Sequence, residues 1–266
     1  MSIEILKKIY FNRQLTVEMT RREFSDRYAG QAFGLIWVII HPTFLMALYV
    51  FIFAYVFKIR LPDNMIFESD YTTYILSGLV PWLSIQESII KSCTAITSNS
   101  SLVKQVVFPI EILPIKGVFV SLLTQFISLI ILFLYIVFAN QVFHLSYFLL
   151  PIIIGLQLSL MTGISFFLSA IGVFFRDTKD VVQIITIVGI YLLPIFYIPE
   201  FLPSKLKFIL YLNPFSHFIW CYQDILFFGT LKHPYSWFIS LILSLLSFHF
   251  GYILFKNLKN QFGNIL

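Results

Sequence analysis

Apolar residues in this chain run in long blocks separated by short polar interruptions, and the block lengths are those of membrane-crossing helices. Residues 36–57 contain no charged side chain; at ~1.5 Å of rise per residue such a segment crosses a hydrocarbon core of ~30 Å. His41-Pro42 lies within it, and because the residue before a proline is pushed out of helical geometry, a kink or break is expected there. Similar blocks follow at 71–90, 117–139, 147–175, 181–198 and 236–255, which predicts six spans. The second is the most polar. It carries Glu87 near one end and Lys91 four residues on, an order that favours pairing on one helix face, and it is expected to be buried among the other helices. The fourth holds Pro151, Gly155, Gly163 and Gly172 and is longer than a crossing needs, so tilt or a kink is expected. Residues 199–230 are apolar in pieces broken at Asn213-Pro214, each too short or too polar to cross. Two short helices that dip into the membrane and return, buried against protein, accommodate them.

Two polar segments add detail. In residues 1–30, Ile3, Leu6, Tyr10, Val17, Phe24 and Tyr28 recur at helical spacing and draw one apolar stripe. This predicts an amphipathic helix lying along the inner membrane surface. Residues 91–116 form the polar interruption around which the rest is organised. Thr97, Ser98, Asn99, Ser100 and Ser101 offer side-chain oxygens that cap a helix start, and Phe108-Pro109 supplies the stop. A short helix over 102–107 follows, in which Leu102 pairs with Val106 and Val103 with Val107 at i,i+4. Such a helix between two spans reads either as a docking element or as an ordinary solvated loop.

Composition sharpens the class. Of 266 residues 59% are apolar and 12% charged, and mean hydropathy is +0.88. That is about half the charge of a soluble protein, so the chain is an all-α polytopic membrane protein. The net charge of +5 is not a nucleic-acid signal, because Lys and Arg gather at the edges of apolar blocks. With the N-terminus inside, thirteen of the eighteen Lys and Arg fall on inner segments, among them Lys7, Lys8, Arg13, Lys104, Arg176 and Lys259. The positive-inside rule then predicts cytoplasmic termini, loop 91–116 and Arg176 turn. No cleavable signal peptide is expected, since about thirty polar residues precede the first apolar block.

Several chemistries are missing from the sequence. There is no GxxxxGK[ST] phosphate loop, no HExxH spacing among the five histidines and no GxSxG elbow. Neither a metal site nor a catalytic site is predicted, and any use of ATP requires a partner. Cys93 and Cys221 are expected on opposite membrane faces and cannot bridge within one fold.

Several segments, taken in order, carry a resemblance. Arg27-Tyr28, Gly34, Trp37 and Pro42 form an entry to the first span; Ser101, Leu102, Val103, Lys104, Phe108, Pro109, Leu113 and Pro114 form the loop; Phe175-Arg176-Asp177 and Leu212-Asn213-Pro214 follow. Together they resemble the membrane subunits of type-2 ABC exporters, in the branch that exports O-antigen, capsule and teichoic acid. Gln223, where that branch often has arginine, and Ser100 depart from the pattern. The resemblance implies a homodimer of six-helix subunits in a bacterial inner membrane, joined to two copies of a separate ATPase that binds the ATP and Mg. It implies that Ser101, Leu102, Val103, Lys104, Val106, Val107, Phe108 and Pro109, with Arg176 and Asp177, form the ATPase-coupling face. It makes lipid-linked polysaccharide the expected cargo, with Trp37, Tyr49, Tyr55 and Trp82 as candidate path aromatics. Arg22 and Arg27 become candidates for holding a lipid diphosphate. The alternative class is a gradient-driven transporter or channel. That class normally keeps ionisable residues near the membrane midplane, where these spans hold almost none.

Overall fold

The computed structural model describes residues 2–56, 70–105, 109–141, 143–199 and 202–266. Among them all regular structure is helical. Four helical segments are long and apolar enough to cross a membrane: Gly34–Phe53, Ile112–Ala139, Leu145–Phe174 and Pro234–Ile265. They contain the expected third and sixth spans and cover most of the expected first and fourth, ending at Phe53 and Phe174.

The N-terminal region is two helices rather than one, α1 (Ser2–Phe11) and α2 (Arg13–Asp26). They part at Asn12, whose side-chain amide bonds back to the Lys8 carbonyl at 2.9 Å. In α2 the protein-facing side is Thr16 and Thr20, which are buried, while Val17 stays exposed. At 100° per residue the threonine face lies about a quarter-turn from the predicted apolar stripe. The helix packs sideways on α6 (Ile112–Tyr135), which leaves Tyr10 and Val17 of the stripe exposed while Phe24 is half-buried and Tyr28 buried.

The first crossing segment contains α3 (Trp37–Val50), which continues through Pro42 without a break. The second expected span is α4 (Tyr71–Thr94), started by the Asp70 side chain, which accepts from the Thr73 amide at 3.1 Å. Residues 72–82 of α4 are buried without exception, as its polar composition required. It packs on α6, on α7 (Leu150–Phe174), on α8 (Thr178–Gly189) and on α10 (Pro214–Gln223). Between α4 and α6 lies the short α5 (Ser100–Gln105).

Small side chains set the closest approach in the bundle. α7 lies along α11 (Pro234–Leu258), and a Cβ added at Gly163 would sit 2.2 Å from the backbone carbon of Ser247. Gly251 meets the Gly163 carbonyl in the same way. Serine hydroxyls then bond across the seam, Ser244 to the Leu156 carbonyl at 2.8 Å and Ser247 to the Leu160 carbonyl at 3.1 Å. This is the means by which helices associate where lipid removes the hydrophobic drive.

The expected fifth span is shorter than predicted. α8 and a following 3-10 turn end at Leu192, because Leu193 is extended ahead of Pro194. After it come α9 (Ser204–Leu212) and α10, split at Asn213-Pro214 as expected. Asn213 caps α10 through its side chain and also donates to the Leu192 carbonyl at 3.1 Å. Every residue of α10 after Phe215 is buried. The chain closes with α12 (Phe262–Ile265), whose Phe262 is fully buried.

Candidate functional site: the cluster of helix ends

The Ser/Asn stretch does a different job from the one predicted. Ser98 Oγ donates to the Thr94 carbonyl at 2.7 Å and Asn99 Nδ2 to the Ala95 carbonyl at 2.8 Å. These side chains therefore satisfy the carbonyls left open at the end of α4. α5 consequently starts at Ser100, two residues earlier than predicted. Ser101 and Lys104 are exposed, Leu102, Val103 and Pro109 are half-buried, and Val106, Val107 and Phe108 lie outside the described residues.

Around this segment the fold gathers the ends of distant elements. Leu102 and Ser101 line a cavity of about 620 Å³ with Arg22, Asp26 and Lys116, roofed by α2. Lys116 Nζ pairs with Glu23 at 3.1 Å and holds α2 to α6. On the other side Ser100, Thr97, Arg176 and the C-terminal Leu266 line a second cavity of about 360 Å³. The exposed turn at Arg176 and Asp177 thus stands beside the α5 segment.

Glu111 closes the loop. Its carboxylate is almost fully buried and its Oε1 accepts from Lys8 Nζ at 2.9 Å and Lys259 Nζ at 3.1 Å. Burial alone would raise its pKa, but hydrogen bonds from Lys8, its own backbone and Lys259 outweigh that and hold the carboxyl below its ordinary range.

The two arginines are not brought together. Among the described residues Arg22 makes only an exposed 3.6 Å contact with Asp26, worth little in water. Arg27 lies 2.6 Å from Glu87, which also takes Lys91 at 2.9 Å, so the expected Glu87–Lys91 pair is a triad. Arg27 lines a separate cavity of about 280 Å³ between α3, α4 and α6, with apolar walls at Pro42, Leu45, Leu79 and Ile90. Nor do the aromatics form one surface. Trp37 is half-buried against Phe33 at one end of α3. Tyr49, roughly 18 Å along the axis, stacks with Phe53 and Phe196. Trp82 is buried edge-on to Phe215, and the Tyr55 side chain lies outside the described residues.

Two polar groups escaped the sequence reading. Gln125 and Gln157 exchange side-chain bonds at 3.0 and 2.6 Å inside the bundle and share Tyr222. Asp224, fully buried after α10, takes the His233 amide at 3.0 Å, its ring at 2.8 Å and the Trp237 indole at 3.2 Å. The glutamines had a legible signal, since an amide within an apolar span needs a partner. For Asp224 and Glu111 the sequence shows only an acid beside a block edge.

The profile of the ABC-2 type transporter family matches residues 14–227, from early α2 into the turn that follows α10. The chain belongs to the ABC-2 type transporter family. Among relatives of this ABC-2 type transporter, an O-antigen export system permease protein RfbA of Klebsiella pneumoniae is 28% identical, over all of both chains. An RfbA of Myxococcus xanthus is 26% identical over 85% of each. The polysialic acid transport protein KpsM of Escherichia coli is 23% identical over 92% of this chain and 93% of its own. The family match takes in α5, Glu111 and the Arg176 turn, but stops short of α11 and Lys259.

Proposed function

We propose that this chain is the membrane subunit of an ATP-driven exporter that moves a lipid-linked polysaccharide, O-antigen foremost, from the cytoplasm to the outer face of a bacterial inner membrane. Capsular and teichoic acid polymers are the second choice of cargo. The observation that carries the reading is end-to-end similarity to an O-antigen export permease. In support, a short helix with Ser101 and Lys104 exposed and the exposed Arg176 turn stand together at one end of the bundle.

In this reading two copies of the chain join two copies of an ABC ATPase that binds ATP and Mg, and both termini are cytoplasmic. α4 and α8 complete six spans, and α9 with α10 forms a re-entrant hairpin on the outer side. Residues 101–109 dock on the ATPase, flanked by Arg176 and Asp177. The lipid diphosphate enters past Arg22 and is met by Arg27, where phosphate oxygens compete with Glu87 for the guanidinium. The sugar chain passes Trp37, Tyr49 and Tyr55 in turn, because flat rings pack against sugar faces without demanding one sequence of sugars, while Trp82, buried against Phe215, packs the bundle instead.

Deletion of the chain tests the proposal. Lipid-linked polymer should accumulate in the inner leaflet, and surface polymer should return on complementation. Surface polymer unaffected by the deletion would overturn the export reading, and labelling of Lys104→Cys from outside intact cells would overturn the orientation.

A further inference from the structure

The α5 segment is held from behind as well as presented outward. Val103 packs against a small apolar cluster in which Ile96, Phe255 and Phe262 are fully buried. Phe262 opens α12, and the Ile265 and Leu266 that follow line the cavity shared with Ser100 and Arg176. At the far end of the same segment, two residues past Pro109, stands Glu111, 5% exposed. Its one oxygen takes ammonium groups from α1 and from the turn after α11. Helix α1 and the turn after α11 are therefore joined through a single carboxylate to the point where the segment returns into α6. A nearly buried anion with two cationic partners resists loss of its charge, because neutralising it removes the acceptor that the two ammonium groups share.

We propose that Glu111 is a positioning residue of the transport cycle. Through Lys8 and Lys259 it clamps α1 and residues 259–266 behind the α5 segment. Movement delivered by the ATPase then shifts the ends of α4, α6 and α11 as one piece instead of bending residues 95–111 alone. This rests on the docking reading given above, and adds to it a part of the chain that lies outside the family match.

The test uses the full transporter with its ATPase subunit in proteoliposomes and the permease alone in detergent. In Glu111→Gln, residues 98–105 and 259–266 should exchange amide hydrogens faster together. The ATPase should stay attached, and polymer exported per ATP should fall by roughly fivefold to a hundredfold, the range of ordinary coupling energies. Exchanging the charges, with Glu111→Lys, Lys8→Glu and Lys259→Glu combined, should restore both readouts. Lys259→Gln is the milder variant should the others fail to assemble; it should loosen residues 259–266 and lower export per ATP. Wild-type exchange and wild-type export per ATP in Glu111→Gln and Lys259→Gln would overturn the proposal. So would faster exchange in 98–105 with 259–266 unchanged, or loss of the ATPase from Glu111→Gln. A wild-type permease that retains no ATPase would instead sink the docking reading, and the hydrogen-exchange arm would still decide the clamp.

Discussion

Replacing Gly163 by alanine adds one methyl carbon where the α7–α11 seam is close-packed, 2.2 Å from the Ser247 backbone carbon and 2.4 Å from the Phe248 nitrogen. No rotamer relieves the clash, because the obstacle is backbone. To reach ordinary contact the two helices must separate by about 1.2 Å. That displacement carries the three interhelical serine bonds, now 2.8, 3.1 and 3.2 Å long, beyond hydrogen-bonding distance. Ser244 keeps its bond to the Ser240 carbonyl on its own helix, so its loss is partial. Overpacking costs ~1–3 kcal/mol and each interhelical bond averages ~0.6 kcal/mol, which gives a total of about 3–5 kcal/mol. For a chain of this size that corresponds to a melting temperature lower by about 6–20 °C. Gly155→Ala is the control: it lies in the same helix with nothing within 4 Å of the added carbon. That change should be neutral or stabilising by up to ~1 kcal/mol. Thermal unfolding of the two variants and wild type in one detergent reads the difference. Gly163→Ala melting together with Gly155→Ala would refute the close-packed seam.

Four further outcomes are expected. Leu102→Asp should lower recovery of the ATPase in detergent pull-down by a hundredfold or more at unchanged membrane level, since it puts an acid into a contact that dries on docking, a loss of several kcal/mol. Lys104→Ala, a rim charge, should change recovery less than about fivefold. Gln157→Leu removes the shared partner of Gln125 and Tyr222 and should destabilise by ~1–3 kcal/mol in the same melting assay; an unchanged melt would mean the network adds nothing. Glu111 titrates below its ordinary range in the fold, so the stability it contributes through Lys8 and Lys259 is present above the unfolded value, ~4.3, and is lost as pH falls through the folded one. Protection of the amides of residues 259–266, taken relative to their intrinsic exchange rate at each pH, should therefore fall on acidification below about pH 4 in wild type but not in Glu111→Gln.

Much of the architecture is a property of the sequence. Where an apolar block is long, as at Ile112–Ala139 or Pro234–Ile265, a helix is the one local solution, because hydrocarbon offers no partner for backbone groups. The break at Asn213-Pro214 was legible for a similar reason: proline allows few conformations whatever surrounds it. The polarity of α4 likewise announced its burial. What the sequence could not express were choices made between segments far apart in the chain. Whether Ser98 and Asn99 cap the helix behind them or the one ahead depends on which end is left unsatisfied, and α4 took them. Glu111 and Asp224 became buried acids only because folding brought Lys8 and Lys259 to the first, 103 and 148 positions away, and fixed His233 and Trp237 beside the second. Arg27 was captured by Glu87, 60 positions on, instead of standing open. Local periodicity reports which face of a helix is apolar. Which neighbour meets that face, and which charge meets which, is decided by tertiary packing, since contact energies between distant segments leave no periodic trace along the chain.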